Sequence, residues 1–130
     1  MYYRRKILLA LIELFGGQLT AKCLQKYLFL FTRKQSLKAY DFIPYRYGCF
    51  SFQANQDLST MQKYGYIDIV EQEHGRYIQL KESGNYLSLL DLFDRQALIS
   101  IKEEFGHYSQ NELIRYTYQK YPYYAINSTI

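Results

Sequence analysis

Apolar residues recur at helical spacing through most of this chain, and the pattern predicts six helices. In the first of them Ile7, Leu8, Leu11 and Leu14 fall on one face, which is typical of a helix that buries a single stripe. Thr20 and Ser51 can cap the second and third helices, because their hydroxyls accept a hydrogen bond from an unpaired backbone N–H of the first turn. Ser109 and Glu112 predict a capping box at the start of the sixth helix. The wide apolar stripe of the second helix predicts a central position. The predicted helices cover residues 4–15, 20–33, 51–64, 83–93, 94–105 and 109–120.

Two segments depart from helical spacing. Residues 66–80 alternate apolar and polar side chains on either side of a turn at Gly75, which predicts a β-hairpin. Residues 34–50 contain Pro44, which disfavours helix, and Gly48, which permits a turn, so they are expected to form an ordered aromatic loop. The order of elements is that of a winged helix. We therefore expect a mainly α fold with a small β-hairpin, a winged helix-turn-helix followed by additional C-terminal helices.

The length of 130 residues suits a single compact unit with a core of its own. We expect a winged-helix domain over 1–93, with the aromatic loop at 34–50 and the wing at 66–80, and a C-terminal helical extension over 94–130 packed on it. No apolar run approaches the roughly 18 residues of a bilayer span, and Glu13 interrupts the apolar segment near the N-terminus. The sequence thus predicts a cytoplasmic protein without a membrane partner.

Charge is unevenly distributed along the chain. Residues 1–50 contain nine Lys/Arg and two acidic residues, a net +7, whereas the other 80 residues carry a net −3. This asymmetry predicts a basic face that binds a polyanion such as duplex DNA, with the third helix in the major groove. Asp57 on that helix counts against this hypothesis. The candidate DNA-binding residues are Gln53, Asn55, Gln56 and Thr60 for base edges and Lys34, Lys38, Arg46 and Lys63 for phosphates.

Aromatic residues support an alternative, a protein–protein interaction module that does not bind DNA. The chain contains 16 Tyr, and Tyr45, Arg46 and Tyr47 stand together in the predicted aromatic loop. Tyr and Arg are enriched at the energetic centres of interfaces. The partner would be another protein, a downstream domain or a second copy in a homodimer. Simple core packing of each Tyr remains the competing interpretation.

Catalysis and metal binding receive little support from the sequence. His74 and His107 have no nucleophile or carboxylate at a spacing that would form a catalytic pair. Cys23 and Cys49 lack the further ligands of a zinc site. We therefore predict a protein that is not an enzyme, with no catalytic residues, no metal and no cofactor.

Three sequence segments carry a resemblance to a known family. Residues 24–29 (LQKYLF), 45–48 (YRYG) and 65–67 (GYI) resemble a divergent Panacea domain over roughly residues 5–70. That family occurs in bacterial phage- and mobile-element-associated proteins, many of them antitoxins that bind a partner toxin. The chain is also similar to winged-helix modules that precede other domains in bacterial proteins. The resemblance implies a role in defence, toxin–antitoxin control or transcription control.

Overall fold

The computed structural model describes residues 1–129, which fold around one central helix. Every residue from 24 to 32 is buried, so this helix is packed on all sides, as its wide apolar stripe predicted. It contacts helices before and after it and strands of both sheets. The helices are α1 (Tyr3–Leu14), α2 (Ala21–Lys34, the central one), α3 (Phe52–Lys63), α4 (Leu92–Phe105) and α5 (Gln110–Lys120).

Five strands within the described part of the chain form two antiparallel sheets. The first has the order β1 (Gln18–Thr20), β5 (Gly75–Leu80), β4 (Ile67–Gln72), and the second pairs β2 (Ile43–Tyr45) with β3 (Gly48–Phe50). Leu19 and Ile69 both lie opposite Ile78, so apolar residues of all three strands meet at one register position.

The predicted fold class is therefore wrong. Residues 1–129 hold five α-helices and five strands in two sheets, a mixed α/β arrangement, and not a mainly α winged helix-turn-helix with one hairpin and extra helices. The error comes from strands only three residues long, β1, β2 and β3, which show no readable alternation. Strand β1 pairs with β5, about sixty positions later, whereas β2 and β3 pair with each other across a short turn. Cross-strand pairing stabilises such short strands, and a local pattern does not reveal it.

The predicted helix at 83–93 is also wrong. This segment forms a short 3-10 turn at Tyr86–Leu89, preceded by Asn85 in the left-handed conformation at φ 51°. The carboxylate of Glu13 accepts hydrogen bonds from the backbone N–H groups of Gly84 (3.2 Å) and Leu87 (3.4 Å). These contacts with α1 hold the segment in a turn, so a tertiary interaction overrides the helical spacing of its leucines.

The starts of three helices follow the expected capping chemistry. The hydroxyl groups of Thr20, Ser51 and Ser109 accept hydrogen bonds from backbone N–H groups in the first turns of α2, α3 and α5. Ser109 and Glu112 form the predicted capping box. Helix α4 begins earlier than predicted, at Leu92, because Asp91 is its cap.

Candidate recognition surface

Helix α3 presents a polar face to solvent on one side and packs on the core on the other. Ala54, Asp57, Leu58 and Met61 are buried and follow one another at helical spacing. The exposed positions of α3 are Phe52, Gln53, Asn55, Gln56, Ser59, Gln62 and Lys63. Lys63 is therefore the single charged side chain on the exposed side of α3.

The inward position of Asp57 depends on a buried ion cluster. Its Oδ2 atom lies 2.7 Å from Arg4 Nε, and its Oδ1 atom lies 3.0 Å from Arg5 Nε. The hydroxyl of Tyr40 donates to Oδ2 at 2.8 Å. Burial alone would raise the pKa of the Asp57 carboxyl, but the hydrogen bonds from Arg4, Tyr40 and Arg5 outweigh burial and hold it below its ordinary value. The expectation that Asp57 counts against DNA binding assumed an exposed carboxylate, and the buried position of Asp57 corrects it.

Strands β2 and β3 form a hairpin that contains the predicted partner-binding residues. The guanidinium of Arg46 stacks on Tyr45 (5.5 Å to the ring centroid) and on Tyr47 (5.1 Å). Tyr45 also packs edge-on against Phe52 at the start of α3, with ring centroids 5.1 Å apart. Tyr47 is 37% exposed and Phe52 is 52% exposed, whereas Tyr45 is half-buried. The aromatic loop is therefore a packed hairpin with an open aromatic edge.

A glycine lets this hairpin approach the C-terminal helix. Gly48 has φ +82°, and a Cβ atom built on it would lie 2.6 Å from Cε1 of Tyr118 on α5. A larger residue would therefore be strained by its backbone conformation and would clash with the ring. The backbone carbonyl of Arg46 also accepts from the N–H of Thr129 at 3.0 Å, which fixes the hairpin tip against the end of the described chain.

A cleft of about 490 Å³ opens between the hairpin, α3, the first turns of α2 and the turn that joins β4 to β5. Its volume lies within the roughly 300–1,000 Å³ typical of ligand pockets. Most of the side chains that line it are aromatic rings, amides and cations, and Glu71 is the one carboxylate in the lining. The cations are Lys22, Lys26, Arg46 and Arg76.

Lys26 lies inside the protein, although a lysine side chain with its ordinary pKa is charged at neutral pH. The side chain is 2% exposed, and Nζ donates to the backbone carbonyls of Tyr47 (2.9 Å) and Cys49 (3.3 Å). Burial lowers the pKa of its ammonium, and burial likewise raises the pKa of the neighbouring Cys49 thiol. Among the described residues, Lys26 takes part in no ion pair with a carboxylate.

The predicted DNA-binding residues separate into four groups. Arg46 and Asn55 line the cleft, and Gln56 and Lys63 lie on the exposed side of α3. Lys34 lies at the other end of α2, about 18 Å along the helix axis from Lys22, where its Nζ is 3.9 Å from Glu104. The remaining three make local hydrogen bonds: Lys38 to the Gln35 carbonyl, Thr60 to the Gln56 carbonyl, and Gln53 from the Asp41 N–H.

Sequence reasoning missed the residues that give the cleft its cationic floor and rim, Lys22, Lys26 and Arg76. For Lys26 a signal was present. It lies between Leu24 and Tyr27 in the helix predicted to be central, and a charged residue surrounded by apolar ones on a fully packed helix needs a polar partner inside the protein.

No protein-family model matches this sequence, and no curated protein is significantly similar to it. The resemblance to the Panacea domain therefore stays a prediction. Among residues 1–129 no helix combines the length and the apolar character that a membrane span requires. The same residues contain no group of three or more His, Cys, Asp or Glu side chains arranged to hold a metal ion.

Proposed function

We propose that this protein is a recognition module that binds nucleic acid, with duplex DNA as the first candidate, through the exposed side of α3 and the adjacent tip of the β2–β3 hairpin. One observation carries the proposal. The carboxylate of Asp57 is turned inward and bound by Arg4 and Arg5, so the exposed side of α3 carries amides, hydroxyls and Lys63 without an acidic group.

The chemistry of that surface fits a nucleic-acid ligand. Side-chain amides such as those of Asn55 and Gln56 donate and accept hydrogen bonds at once, as base edges require. Lys63 and Arg46 would neutralise phosphates. Gln53 already accepts from a backbone N–H at 2.8 Å, so its amide oxygen is committed to the loop before α3. We therefore assign base contacts to Asn55 and Gln56 in preference to Gln53.

Anisotropy titrations of labelled duplexes at several salt concentrations test this function. Counterion release should make the affinity fall steeply with salt, and Lys63→Ala should reduce the salt slope by about 1 if that lysine contacts one phosphate. Gln56→Ala should cost about 1–3 kcal/mol on a preferred site and little elsewhere. Lys120→Ala and Gln96→Ala, exposed helical residues on α5 and α4, are the matched controls and should leave binding unchanged. Absence of duplex binding at micromolar protein and low salt would end the proposal.

A second candidate function is protein–protein recognition through the hairpin. The observation that favours it is the exposed aromatic edge formed by Tyr47 and Phe52. The guanidinium of Arg46 stacks on the Tyr47 ring of this edge. Such an arrangement resembles the rigid aromatic and Arg anchors of interface centres. The partner would be a toxin, a following domain or a second copy of the chain.

Two measurements separate this candidate from core packing. Tyr47→Ala should weaken partner capture or self-association by about 2 kcal/mol or more while leaving the melting temperature nearly unchanged. Tyr45→Ala should lower stability as well, because Tyr45 packs against Tyr47, Phe50 and Phe52. Tyr123→Ala, another exposed tyrosine, serves as the control. Loss of stability in Tyr47→Ala with unchanged capture by the folded fraction would refute the interface.

A further inference from the structure

The floor of the cleft contains a buried cation without a buried anion to balance it. Lys26 is 2% exposed and lines the cleft, and two of its three N–H donors are used by the carbonyls of Tyr47 and Cys49. Carbonyl dipoles satisfy those two donors but do not neutralise the charge. Removing an ammonium from water costs several kcal/mol that a facing anion would offset. The third donor has no acceptor among the described residues, and Lys26 is one of the residues that line the cleft.

The remaining charges of the cleft that lack an ion pair among the described residues are positive. Lys22 and Arg46 are exposed and take part in no ion pair among the described residues. Arg76 is paired with Glu71 at 2.9 Å, so the single carboxylate that lines the cleft is already neutralised. The first turn of α2 also lines the cleft, and the N-terminal end of a helix favours an anion. The field inside the cleft therefore selects negatively charged ligands.

The wall beside these cations is aromatic. Tyr45, Phe50 and Phe52 line the cleft and pack on one another at centroid distances of 4.9–5.4 Å. Asn55 and Gln110 place amide groups on the same lining. Flat rings bind the face of a base by stacking, and amides pair with its polar edge. An aromatic wall next to an anion-selective floor matches a ligand that joins a planar base to a phosphate.

We propose that the cleft is a nucleotide-binding site, in which Lys26 and Lys22 bind the phosphate and the Tyr45–Phe52 wall stacks on the base. The ligand is either a free nucleotide or a terminal, unstacked nucleotide of a single strand, which share this chemistry. The cleft shares Arg46 and Asn55 with the duplex-binding surface proposed above, but Gln56 and Lys63 do not line it, so the two functions can be tested apart.

Calorimetric titration of the full chain with the four common ribonucleoside monophosphates tests the proposal. At least one should bind about tenfold or more tightly than inorganic phosphate and than its own nucleoside, since each of those lacks half of the contacts. Titration with short single strands that carry a 5′-phosphate shows whether the ligand is a free nucleotide or the end of a nucleic-acid strand. Tighter binding of the strand indicates a nucleic-acid end, and equal or weaker binding indicates a free nucleotide.

Lys26→Met is the decisive variant, because it removes the charge and retains most of the side-chain volume. It should lower nucleotide affinity at least about tenfold. It should also lower the melting temperature, because the carbonyls of Tyr47 and Cys49 lose a buried hydrogen-bond donor. Lys22→Met, at an exposed position, should weaken binding without any effect on folding and keeps the test valid if Lys26→Met unfolds. Lys120→Met is the matched control.

Three results would overturn the nucleotide site. They are no binding of any monophosphate or short strand at millimolar ligand, equal affinity for inorganic phosphate and nucleotide, and unchanged affinity in the folded Lys26→Met and Lys22→Met variants. Duplex binding gives an independent readout. Gln56→Ala and Lys63→Ala should impair only duplex binding, and Lys26→Met should impair nucleotide binding, so failure of one proposal leaves the other measurable.

Discussion

Replacing Asp57 by Asn should destabilise the fold through the loss of one buried carboxylate that connects three segments. Asp57 is fully buried and accepts from Arg4, Arg5 and Tyr40. Removing one partner of a fully buried ion pair costs about 3–5 kcal/mol. The two arginine side chains here keep 35% and 22% of their surface exposed, so each can turn partly to water. The Tyr40 hydroxyl retains the Arg4 carbonyl as an acceptor at 3.0 Å. We therefore expect a loss of about 2–3 kcal/mol.

Urea denaturation followed by circular dichroism measures this loss as a shift in the midpoint at an unchanged slope. Asp68→Asn is the matched control, because Asp68 faces Lys81 at 3.7 Å with both side chains about half exposed. Such a surface pair contributes about 0–1 kcal/mol. If Asp57→Asn shifted the midpoint no more than Asp68→Asn does, the ion cluster would not be the element that orients α3, and the reasoning would be refuted.

Four further outcomes follow from the same contacts. The pKa of Asp57 is lowered in the fold, so its contribution to stability is present above the unfolded pKa of about 3.9 and disappears as pH falls through the folded value. Acid titration of wild type against Asp57→Asn should show this difference below about pH 4. Gly48→Ala should cost more than about 1 kcal/mol by chemical denaturation, because of its positive φ and the Tyr118 ring. Ser109→Ala should cost about 1 kcal/mol through loss of the α5 cap. Thermal melts of Lys26→Met should show a lower midpoint, because the carbonyls of Tyr47 and Cys49 lose a buried hydrogen-bond donor.

The sequence predicted those elements whose signal is local. The serines that cap α3 and α5 were identified because a serine just before a run of apolar residues at helical spacing commonly caps the helix. The long hairpin of β4 and β5 was identified from alternation over six residues on each side. The pairing of the short strands was not identifiable, since Gln18–Thr20 pairs with a segment about sixty positions later in the chain.

The position of Asp57 shows how residue type and spacing can conflict. Ala54, Leu58 and Met61 define a buried stripe, and residue 57 falls within that stripe by helical spacing. The carboxylate of Asp57 suggested a surface position, whereas its spacing along the helix indicated a buried one. The spacing was the better guide, because two arginines from the start of α1 supply the compensation that a buried charge needs. No local pattern could reveal that pairing across more than fifty residues.

The same arginines alter the meaning of the basic N-terminal half. Arg4 and Arg5 contribute to the net +7 of residues 1–50, but both are bound to Asp57 and so stabilise the fold. Lys34 lies near Glu104, at the end of α2 away from the cleft. Six cations of residues 1–50 take part in no ion pair among the described residues. Of these, Lys22, Lys26 and Arg46 line the cleft, whereas Lys6, Arg33 and Lys38 do not. Charge asymmetry in the sequence was thus a poor guide to the residues of the proposed anion site, because only the fold separates cations held in ion pairs from those without one.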